Sequence, residues 1–82
     1  MKHATKGTLE RMDALLIRVR REELKERSLG VFYRTSKPFL HFHEDPAGLF
    51  ADLVQGATFN RYPINTDIEK DVLIAAIDAI LA

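Results

Sequence analysis

The residues best able to do chemistry are gathered in His41-Phe42-His43-Glu44. Side chains alternate faces along a strand, so a His-x-His pair in an extended segment carries both imidazoles on one face, close enough to share a divalent metal ion. Glu44, Asp45 and His3 offer further nitrogen or oxygen ligands of the kind such ions accept. His41 and His43 alone do not complete a site, and no third His or Cys stands at a telling spacing. The plainer reading, polar residues half-exposed on a sheet face, ranks above the metal.

The same region supports a second reading, the binding of a small anion. Arg34, His41, His43, Glu44 and Arg61 combine cations, imidazoles and a carboxylate, and imidazoles can move protons near neutral pH. A nucleophile is missing. The chain has no Cys, no Gly-x-Ser-x-Gly turn and no Ser beside a His, so no catalytic residue is assigned and catalysis is not the expectation.

The elements that would position these groups follow from periodicity. Gly30-Val31-Phe32-Tyr33-Arg34-Thr35 and Phe39-Leu40-His41-Phe42-His43 read as two strands of a hairpin joined through Ser36-Lys37. With a two-residue loop, Arg34 opposes Phe39 and Phe32 opposes His41. Val31, Tyr33, Leu40 and Phe42 then turn toward the core. Phe32, Arg34, Phe39, His41 and His43 turn away from it, and a slip of one residue would exchange the faces. Asp45 reads as the N-cap of a helix opening at Pro46, with Leu49, Phe50, Leu53 and Val54 as its apolar stripe and Gly56 as its stop.

Upstream, residues 1–7 read as a flexible tail carrying a solvated His3. Thr8 to Arg27 reads as one long helix on Leu9, Met12, Leu16 and Val19. Downstream, Ala57–Tyr62 reads as a short strand ended by Pro63. Thr66 and Glu69 form a capping box that starts a helix running to the end of the sequence. Its broad apolar face is placed on Ile68, Val72, Ala75, Ala76 and Ala79, with Leu73, Ile77 and Ile80 beside it. The expected architecture is a single α+β domain over residues 8–82, in the order α-β-β-α-(β)-α, with an antiparallel hairpin or three-stranded sheet packed against helices.

The run from Phe39 through His41, His43, Asp45-Pro46 and Gly48 to Leu53 resembles segments of short conserved bacterial proteins of unassigned function. The likeness extends from the hairpin to the end of the chain. It implies a bacterial cytosolic protein and transfers no catalytic residue. A strand followed by Asp-Pro and a short amphipathic helix is also similar to small α+β folds that bind DNA or iron, an analogy at the level of fold.

Composition narrows the function classes. In 82 residues, 12 basic side chains balance 12 acidic ones, which excludes a strong general field for nucleic acid or membrane. Arg11, Arg18 and Lys25 recur as a stripe, but Glu10, Glu22, Glu23 and Glu26 interleave with it. A salt-bridged helix face is therefore preferred to nucleic-acid binding. No segment has the length of a membrane span or the pattern of a signal peptide, so the cytoplasm is the expected compartment. The excess apolar width of the last helix, with Phe32 and Phe39 on the outer sheet face, points first to an interaction module that forms a homodimer or takes a protein partner.

Overall fold

The computed structural model describes residues 2–82. Its elements are β1 (Lys2–His3), α1 (Lys6–Arg11), α2 (Asp13–Val19), β2 (Lys25–Ser28), β3 (Val31–Arg34), β4 (Lys37–Asp45), β5 (Gly48–Gln55), β6 (Thr58–Pro63) and α3 (Asp67–Leu81). The strands form one six-stranded antiparallel sheet in the order β2-β3-β4-β5-β6, with β1 added against β4. The α+β class holds, but the element order differs from the one expected. Helices pack on one face of the sheet only, around a core of Leu16, Val19, Phe32, Leu40, Leu53, Leu73 and Ile77.

The largest departure is at residues 46–55, which form a two-residue turn and the strand Gly48–Gln55 and not a helix. Pro46 and Ala47 make a two-residue turn, Asp45 Oδ1 accepts from the Ala47 N–H at 2.8 Å, and Gly48 takes φ +134°. Asp45 thus caps a turn. Leu49, Phe50, Leu53 and Val54 do fit a helical stripe, but the alternation Leu49-Ala51-Leu53 against Phe50-Asp52-Val54 fits a strand equally well. Pairing decides the competition. As a strand, this segment matches β4 residue for residue from Leu40↔Leu53 to Asp45↔Gly48 and satisfies a backbone edge that a helix would leave open.

The long first helix is likewise divided. Thr5 caps α1, α2 ends at Val19, and the charged run after it turns back so that Lys25–Ser28 pairs with β3. Each helix is too short to stand alone and is held by packing of Leu9, Leu15, Leu16 and Val19. The salt-bridged helix face expected from this run does not form among the described residues, because the charged stretch leaves the helix after Val19. Arg18 bonds Asp71 at 2.9 Å, stitching α2 to α3, and Arg21, in the turn after α2, bonds Asp78 of α3.

The β3–β4 hairpin turns through Thr35 and Ser36, with Thr35 at φ +58° and Arg34 opposite Lys37. A bulge at Phe39 then sets Phe32 opposite Leu40. Consequently Phe32 and Phe39, expected on the outer face, are buried in the core cluster, while Val31 and Tyr33 are only half-buried. The inward placing of Leu40 and Phe42 is upheld.

Thr66 and Glu69 form the expected capping box of α3. The helix is rotated from its expected setting, however: Leu73 and Ile77 are buried, whereas Ile68 is 77% and Val72 52% exposed. The apolar stripe is wider than the sheet can cover, and the branched pair at i, i+4 is the part that enters the core.

Candidate metal centre

On the helix-free face of the sheet, alternation brings His41 and His43 of β4 beside Asp52 of β5 and Arg61 of β6. The registers are His41↔Asp52 and Asp52↔Arg61. Neighbouring β1 adds His3, whose register partner is His43. The segment expected to fray therefore pairs through Lys2↔Glu44 and His3↔His43, and the Ala4 N–H donates to the Phe42 carbonyl. His3 remains exposed, as expected, yet its ring is placed against the other two.

The imidazole centroids are 4.6 Å apart for His3–His43, 4.7 Å for His41–His43 and 5.4 Å for His3–His41. One ligand nitrogen from each of the three lies within 4.8 Å of the others. A tetrahedral zinc ion with bonds of about 2.0–2.1 Å needs ligand atoms about 3.3 Å apart, so the rings would have to draw closer to share one ion. The three imidazoles form a group that could hold a metal ion.

His43 is the most informative of the three. Its side chain is 9% exposed, and neither ring nitrogen has a hydrogen-bond partner among the described residues. Asp52 Oδ2 approaches His43 Nε2 to 3.1 Å, but without the alignment of a hydrogen bond. Buried polar atoms are normally paired, because an orphan forfeits its hydration without return. A lone pair at this position is costly in the free protein and well suited to a cation.

The electrostatics favour ligation. Burial disfavours the charged form of His41 and, with the neighbouring His43, lowers its pKa below the ordinary imidazole value, despite the opposing pull of Asp52. His41 is thus neutral near neutral pH, the form that binds metal. The Arg61 guanidinium grips Asp52 with both arms, at 2.8 and 2.9 Å, and holds its carboxyl below the usual carboxylate range although burial acts the other way. A charged carboxylate therefore stands 3.1 Å from His43 and 3.8 Å from His41. Phe59 packs edge-on to His41 with centroids 4.9 Å apart and walls one side.

Of the other residues proposed from the sequence, Arg61 joins the cluster through Asp52, but Arg34 and Glu44 do not. Arg34 sits at the hairpin tip opposite Lys37, beside a separate groove formed with Phe39 and Ile80. Glu44 follows His43 and so turns to the helical face, where it accepts from the Thr5 N–H at 2.7 Å. Asp52 was missed because a helical reading of its segment carried it away from the histidines. The outward alternation of Phe50, Asp52 and Val54 was the available signal.

With the site described, comparison with known proteins adds no relative: no family model, curated protein or solved structure matches the chain. No helix is long and apolar enough to cross a membrane among the described residues.

Proposed function

We propose that this protein binds a first-row divalent metal ion, zinc foremost, through His3, His41 and His43, with Asp52 as an orienting or additional carboxylate. The observation that carries this reading is the buried His43 imidazole, without a hydrogen-bond partner and flanked by two further imidazoles. Imidazole donors without a thiolate suit zinc and its neighbours in the series. Three protein ligands on an open sheet face leave coordination positions for water or a small ligand. Calorimetric titration of tag-free protein with zinc tests it. One equivalent should bind, with loss of binding in His43→Ala and in His41→Ala; equal uptake by wild type and both variants would rule the site out.

A second reading, self-association, has its own support. The helix-free sheet face presents Phe59, which is 45% exposed, beside half-buried Phe50 and Val54, and β6 offers a free edge along that face. A second copy pairing at β6 would cover both. Sedimentation equilibrium tests this, and a monomer throughout the micromolar range would count against it.

A further inference from the structure

One cleft lies well away from the histidines. It lies on the other side of the sheet, at the end where α1 and α2 meet the start of α3, and has a volume of about 420 Å³. That size falls within the range of small-molecule sites. Met12, Leu15, Leu49 and Ile64 supply its apolar wall. Asn65 also lines it, but both ends of its amide are committed to the Leu49 backbone, the oxygen accepting at 2.8 Å and the nitrogen donating at 3.1 Å. It is a fixed wall.

Three charged side chains face this cleft: Arg11, Lys70 and Glu44. Neither Arg11 nor Lys70 has a carboxylate within ion-pair distance among the described residues, whereas Arg18, Arg20, Arg21 and Arg61 are all paired. Arg11 has only a 3.3 Å bond to the Thr8 hydroxyl. Glu44 is committed to the Thr5 N–H, which lowers its pKa and keeps it charged. Two cations against one carboxylate leave a single net positive charge above an apolar floor.

The geometry points to a binding site for an amphiphilic monoanion: a carboxylate held between Arg11 and Lys70, with an aliphatic body lying on Leu15, Leu49 and Ile64. The guanidinium offers the carboxylate a two-pronged fit and the ammonium a point charge. The site is independent of the metal centre, since Glu44 and Leu49 face the helices while His43 and Asp52 face away.

Decanoate, titrated below its micellar concentration into the intact chain and followed by ¹H–¹⁵N and methyl NMR, tests the assignment. Saturable shifts should centre on Leu15, Leu49 and Ile64, and affinity should fall about tenfold or more in Arg11→Gln and in Lys70→Gln. Lys70→Arg should retain binding, decanol should bind more weakly than decanoate, and His41→Ala should bind as wild type. Melting curves of the charge variants establish that they fold. Absence of saturation, shifts centred elsewhere, equal binding of decanol, or indifference to both charge removals would each overturn the assignment.

Discussion

His3 and His43 are register partners across β1 and β4, with ring centroids 4.6 Å apart. An ion bound between them would tie a two-residue strand to the middle of the sheet and close the intervening chain into a loop. Metal binding and folding are then linked, because the unfolded chain does not hold the three imidazoles together. With free zinc at about a hundred times its Kd, the native state should gain about 2.7 kcal/mol, seen as a raised melting temperature that chelator reverses. A melting temperature insensitive to zinc would contradict the linkage.

The orphaned nitrogens of His43 make an opposite prediction for the metal-free protein. Replacing this side chain by an apolar one of similar shape removes two unsatisfied polar atoms. His43→Leu or His43→Phe should therefore stabilise the metal-free chain by about 1 kcal/mol, while abolishing zinc binding. Denaturant unfolding measures it. A clear loss of stability in both variants would mean that the imidazole is satisfied in solution.

Asp52 is the carboxylate nearest the ring nitrogens of both His41 and His43. Asp52→Asn keeps its shape, removes its charge and leaves Arg61 without its ion-pair partner. Zinc affinity should fall about 10–100-fold, the usual cost of losing a group that orients ligands. Competition with a calibrated chelator gives the number, and an unchanged affinity would place Asp52 outside the site.

Acid should weaken the metal-free fold in two steps. The folded His41 takes up its proton at lower pH than the ordinary value of 6.5, because burial and His43 oppose the charge. Below that value the unfolded chain binds more protons, so stability falls as pH drops toward the folded pKa. The carboxylates held low, Glu26 and Glu44 from an ordinary 4.5 and Asp52 from 3.8, add a second loss as pH falls below those values. Calorimetric melting temperatures should be level above neutrality and decline below about pH 6.5. His41→Ala should flatten the upper step; its persistence there would assign the step to another group.

Gly48 separates the strand from the helix that Asp45-Pro46 suggests. In a helix, Gly48→Ala would be stabilising by about 0.5–1 kcal/mol. Here Gly48 has φ +134°, and an added Cβ would meet Asn65 Oδ1 at 2.7 Å, the atom that accepts from Leu49. The substitution should therefore destabilise by more than about 1 kcal/mol. The sign alone decides between the two conformations.

That glycine also shows how far the sequence could be read. The Thr66–Glu69 capping box, the strand ended by Pro63, and the shared outward face of His41 and His43 were legible because each rests on local spacing. The register of β3 against β4 was not, since a bulge at Phe39 depends on what the helices bury. The conformation of residues 46–55 was undecidable locally, because its apolar residues satisfy both periods and only the open edge of β4 selects the strand. Asp52 was lost with that choice. His3 was named as a possible ligand, but its pairing with His43 is a long-range contact with no local signature.

The most direct measurement is a crystal structure of tag-free protein grown with zinc, with anomalous scattering recorded at the zinc edge. A three-histidine site predicts one strong peak on the helix-free sheet face, about 2.0–2.1 Å from a ring nitrogen of each of His3, His41 and His43. A peak elsewhere, or none with zinc in excess, would contradict it.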